Sequence, residues 1–123
     1  MGFAKNIMGA GIPAAAAAAD TISSVATGLT ATGTTQGTAL AVTSDVNFVS
    51  TVAASSGVIL YNGMIGDSVF IVNDGGANAL TVYPPVGSKF NALATNTGFT
   101  LPANTPVWCM KVTATRWFAI LSA

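Results

Sequence analysis

The chain has 123 residues, about half of them hydrophobic, with four basic and four acidic residues, no His and a net charge of zero. All four acidic residues are Asp and there is a single Cys, so the stock of general acids, bases and activated nucleophiles is nearly empty. No basic residue lies between Lys5 and Lys89, which removes the clustered cations that phosphate backbones and anionic membranes require.

A structural or binding role is therefore expected rather than an enzyme, with no cofactor, no nucleic acid and no membrane partner. Only 7% of the residues are charged. Independent soluble domains carry roughly 25–35% charged residues on their surface, so much of this surface is expected to face other protein. The length fits one domain. We divide it into an N-terminal arm, residues 1–24, and a β-domain, residues 25–123.

The arm comes first in the chain. Lys5, the apolar residues 7–12 and the alanines at 14–19 resemble a short signal peptide with an A-x-A-like site before Asp20. Gly9, Gly11 and Pro13 interrupt that apolar stretch, and an anchored arm is the reading we carry forward. It is too short and too small-sided for a membrane span. Its large apolar residues Phe3, Ile7, Met8 and Ile12 are the candidate partner-binding residues. Residues 9–14 echo a dinucleotide-binding fingerprint but lack the preceding strand and the following acid of a βαβ unit.

Beyond the arm the texture becomes β. Residues 39–42 and 46–52 read as strands separated by the turn-prone Thr43-Ser44-Asp45, and 57–61 as a short strand ended by Asn62-Gly63. The clearest hairpin signal follows. Residues 67–73 run into Asp74-Gly75-Gly76-Ala77-Asn78 and return through 79–83, where Pro84-Pro85 stops the strand.

The last segment reads as a ribbon turning at Ala114-Thr115. That register sets Val112 opposite Trp117, Met110 opposite Ala119 and Trp108 opposite Leu121, on one face. The other face carries Val107, Cys109, Lys111, Phe118 and Ile120; both faces are apolar, so cover is expected on both sides. No repeat of 20–50 residues stands out. Several short strands with Gly, Pro and Asn turns predict an all-β fold, an antiparallel sandwich or barrel of jelly-roll type with an extended N-terminal arm.

Candidate chemistry is sparse. Asp67 and Asp74 border the predicted hairpin, where Asp bonds to local backbone, and they are weak candidates for a catalytic pair. Trp108, Trp117, Tyr61 and Tyr83 could form a platform for sugars, but core packing is the expected use. Cys109 between Trp108 and Met110 is expected to be a small buried hydrophobe. No catalytic, cofactor or metal residues are assigned.

The stretch 38–47, Gly66-Asp67-Ser68-Val69, residues 76–87, Asn91-Ala92-Leu93 and the Arg116-Trp117 strand together resemble a domain of tailed-bacteriophage virion structural proteins. The resemblance implies a capsid decoration (cement) protein or a head-fibre-like domain, often trimeric. The chain carries no shaft repeat or heptads, which a fibre needs, and it has an apolar arm, so the decoration role is preferred. For that role the resemblance implies a homotrimer that binds the major capsid protein on the outer shell, with localisation in the virion. The alternative is a tail-fibre or tail-tip receptor-binding domain; a third reading is a secreted bacterial β-domain.

Overall fold

A computed structural model describes residues 24–121. The arm residues Phe3, Ile7, Met8 and Ile12 lie outside the described residues, as does the 9–14 motif. What is described is all-β, with ten strands and one 3-10 turn, Gln36–Thr38.

The chain alternates between two sheets. Strands β1 (Val25–Thr30), β3 (Val46–Thr51) and β5 (Ser68–Asn73) belong to one, and β2 (Leu40–Ala41), β4 (Gly57–Ile59) and β6 (Leu80–Tyr83) to the other. Each strand pairs parallel with its counterpart one coil earlier: β1 with β3, β3 with β5, β2 with β4 and β4 with β6. This is solenoid-like stacking of three coils.

The second half closes one end. Strands β7 (Lys89–Phe90), β8 (Phe99–Leu101), β9 (Thr105–Thr113) and β10 (Arg116–Leu121) complete sheets of six strands, β1-β3-β5-β9-β10-β7, and four, β2-β4-β6-β8. Here β8 joins β6, and β9 joins both β5 and β10, antiparallel.

The expected antiparallel sandwich or barrel is therefore corrected to a coiled, mixed architecture. The predicted hairpin across residues 67–83 is the point where the two diverge. Its two strands exist, and β6 does end before Pro84, but β5 and β6 lie in different sheets. Asn73 makes the corner. Its Nδ2 donates to the carbonyls of Asn78 at 2.9 Å and Leu101 at 3.0 Å, and its Oδ1 accepts from the Gly75 amide. Asn78 Nδ2 donates to the Val52 carbonyl at 2.9 Å, tying this corner to the one before it. Side-chain amides replace the ladder bonds a hairpin would have made.

The coils form a structural repeat that the sequence hides. Val25, Val46 and Phe70 stack as register partners, although the intervals between them are unequal. A repeat of unequal length with different residues at matching positions leaves no textual period.

Between the sheets lies the core. The six-stranded sheet contributes Val49, Val69, Ile71, Val107, Cys109, Trp117 and Ala119, and the four-stranded sheet Val58, Leu80, Val82 and Leu101. Phe90 packs edge-on against Phe99, with ring centroids 4.8 Å apart.

The β9–β10 ribbon turns where expected, with Arg116 opposite Thr113, but a bulge leaves Val112 unpaired. Trp117 then faces Lys111, Ala119 faces Cys109 and Ile120 faces Trp108. A one-residue slip sends every later side chain of one strand to the other face. The expected register is corrected accordingly: Trp117 is fully buried, whereas Trp108 lies on the outer face with Phe118 and Ile120.

Candidate functional site

The outer face of the six-stranded sheet carries the most distinctive surface. Strand alternation sends Val69, Ile71, Val107, Cys109 and Trp117 inward, and it sends their neighbours outward. Apart from Ser68 and Arg116, those neighbours are also apolar. Val25, Val46, Phe70, Trp108 and Ile120 are successive register partners across five strands, forming one unbroken apolar row. Val25 is 58% exposed, Phe70 44% and Ile120 55%. The Phe70 and Trp108 rings lie 6.2 Å apart, and the next row adds Met110 and Phe118, the latter under the Arg116 guanidinium at 5.1 Å.

Phe70 divides two hollows. On one side, a hollow of about 240 Å³ is lined by Phe70, Pro106, Val107, Trp108, Ile120 and Leu121. On the other, a hollow of about 300 Å³ is lined by Asp45, Val46, Gly66, Asp67, Ser68 and Phe70. Asp67 Oδ2 accepts from the Met64 amide at 2.8 Å, and Asp45 Oδ2 accepts from the Ser24 amide at 3.3 Å. Burial, then the charges of Asp67 and Asp45, push the Tyr61 hydroxyl above its ordinary pKa.

The sheet edges offer less than the face. Strand β1 is an edge strand, and its pairing is irregular between Ala26 and Leu29, where Gly28 has a φ of +67°. The other edges, β2, β7 and β8, have only two or three residues each. Bulged or short edges resist strand-to-strand addition. The apolar face, by contrast, is a continuous exposed apolar patch.

The remaining sequence candidates do not assemble. Asp67 precedes β5 and Asp74 follows it, so the whole strand separates them, a span of roughly 20 Å at strand rise. The four aromatic residues are dispersed. Trp117 is in the core, Trp108 is on the outer face, and Tyr83 donates to the Thr34 carbonyl while covering Gly57 and Gly98, where a Cβ would meet its ring at 2.8 and 2.9 Å. Phe70, at the centre of the face, was not singled out in the sequence. The signal available was that residues 69–72 are apolar at every position, as in a strand covered on both sides.

Cys109 is buried, as its flanks imply, and burial pushes its thiol up to about 12. Almost no thiolate forms near neutrality, so reagents are expected to modify Cys109 only as fast as the protein unfolds. The unfolded thiol releases its proton from about pH 9, whereas the folded one holds it to about 12. The folded state thus binds the extra proton, and stability is expected to fall across that window by about 1.4 kcal/mol per pH unit. Urea midpoints measured through the window check this, with Cys109→Ala flattening the slope. Tyr61 acts in the same direction at higher pH.

No protein-family model matches this chain, and no curated protein is significantly similar to it.

Proposed function

We propose that the protein is a non-catalytic bacteriophage capsid decoration protein, a homotrimer that binds the major capsid protein on the outer shell and stabilises it. The observation that carries this reading is the apolar outer face on a chain with 7% charged residues. A surface of that kind favours life inside an assembly, because repulsion between free copies is weak and apolar area is left to bury. The resemblance of residues 38–121 to virion domains supplies the kind of assembly. Burial at roughly 25 cal/mol per Å² of apolar surface, less the cost of ordering the arm, would provide the affinity. Trimeric attachment would slow release.

The test is co-sedimentation with capsids. Deleting residues 1–20 is expected to abolish binding while the circular dichroism of the β-domain is retained. Undiminished binding would refute the arm's part. Failure of the full chain to bind, combined with binding to host-surface glycans, would move the assignment to a tail-tip receptor-binding domain.

A further inference from the structure

The described chain begins at the edge of the apolar face. Ser24 is fixed there by three bonds: its amide donates to Asp45 Oδ2, its Oγ accepts from the Asp45 amide at 3.0 Å, and its carbonyl accepts from the Val46 amide at 3.0 Å. Asp45 and Val46 line the hollow beside Phe70, and Val25 is the first member of the apolar row. The preceding segment therefore joins the domain at one end of the row Val25–Val46–Phe70–Trp108–Ile120.

Reach is ample. Four ladder steps of about 4.8 Å carry the row from β1 to β10, a distance of roughly 19 Å. The stretch from Ile12 to Ser24 spans up to about 40 Å when extended. The composition also matches: Phe3, Ile7, Met8 and Ile12 are large and apolar, whereas residues 13–19 are Pro and Ala and supply length with little bulk. Strand addition by another copy is disfavoured by the irregular pairing of β1.

We infer that residues 3–12 of the same chain dock on the outer face of the six-stranded sheet, with their apolar side chains over Phe70, Trp108, Ile120 and Leu121. Docking hides apolar surface on both partners, and the short tether keeps the local concentration of the arm high. The docked state belongs to the free protein and does not depend on a virion role; a chain that fails to bind capsids leaves it intact.

Lys5 makes the inference testable, because it is the only tryptic site before Lys89. In the full chain, cleavage after Lys5 is expected to be about tenfold slower than in Phe70→Ser/Ile120→Ser, a tenfold ratio corresponding to about 1.4 kcal/mol of docking. Both substituted residues are substantially exposed, so the domain is expected to retain its fold. Equal cleavage rates in the two proteins would overturn the inference. Protection that persists in dilute protein shown by light scattering to be a monomer supports docking within one chain, whereas protection found only in an oligomer assigns the face to another copy's arm and overturns it. As a second readout, Ile7→Ser/Met8→Ser is expected to make Trp108 several-fold more accessible to acrylamide while Trp117 stays shielded. Unchanged quenching would likewise overturn the inference.

Discussion

Trp117→Ala is expected to destabilise the domain by about 3–5 kcal/mol, the range for truncating a fully buried large aromatic side chain. Against the 5–15 kcal/mol typical of a domain, a loss of that size leaves much of the population unfolded at the low end. Trp117 is the largest fully buried side chain, and it shares the inner layer with Cys109 and Ile71. Its indole Nε1 has no hydrogen-bond partner among the described residues, so Trp117→Phe removes an unsatisfied donor along with some volume and is expected to cost far less than alanine. Ile120→Ala is the matched control. Ile120 is 55% exposed on the opposite face, and its loss is expected to stay below about 1 kcal/mol. Urea unfolding followed by circular dichroism gives all three values. Equal losses at Trp117 and Ile120 would mean that both faces of the ribbon are covered to the same extent.

That comparison marks the limit of what the sequence conveyed. The strands at 46–51, 68–73 and 80–83, the turn at Ala114-Thr115 and the burial of Cys109 were legible, because apolar residues and turn formers are local signals. Strand partners were not legible. Residues 74–78 have the composition of a hairpin turn, yet they form a corner because the Asn73 and Asn78 amides bond across coils to Leu101 and Val52. Such long-range bonds leave no trace in a local window. The bulge at Val112 is equally silent, since Thr113 and Val112 are ordinary strand residues. Of the apolar face, half was visible: the ribbon's two apolar faces signalled cover on both sides, but the choice of outer face turned on that one unpaired residue. Its extension over Phe70, Val46 and Val25 required the parallel register, which no turn specified.

The arm and the face now bear on each other. If the arm rests on its own sheet and also serves the proposed capsid binding, the two compete, and the apparent affinity for the shell is scaled by the fraction of chains with the arm released. Face substitutions such as Ile120→Ser would then free the arm while also thinning the apolar surface, so the two roles separate only when tryptic protection and capsid binding are measured on the same variants.

The second large effect is expected at Asn73. Asn73→Leu keeps the branched four-atom skeleton of the side chain and raises apolarity, so a simple hydrophobic count predicts a favourable change. The structure predicts the reverse. Asn73 is fully buried, and its amide satisfies the carbonyls of Asn78 and Leu101 and the amide of Gly75. Leucine leaves three polar backbone groups without that partner, each costing about 1–3 kcal/mol where water cannot replace it. A total loss of about 3 kcal/mol or more is expected, together with faster amide exchange through residues 74–79 because the corner loses its anchor. Asn73→Asp tests the parts separately: the carboxylate can still accept from Gly75 but cannot donate to either carbonyl, and it places a charge where none is balanced. It is expected to be at least as damaging as leucine, and to recover in part at acid pH, where protonation restores one donor. Hydrogen exchange and urea unfolding on the two variants measure this. A leucine variant as stable as the parent would mean that β5 and β6 are held by side-chain packing alone, and that the corner is a consequence of the coil rather than its fastening.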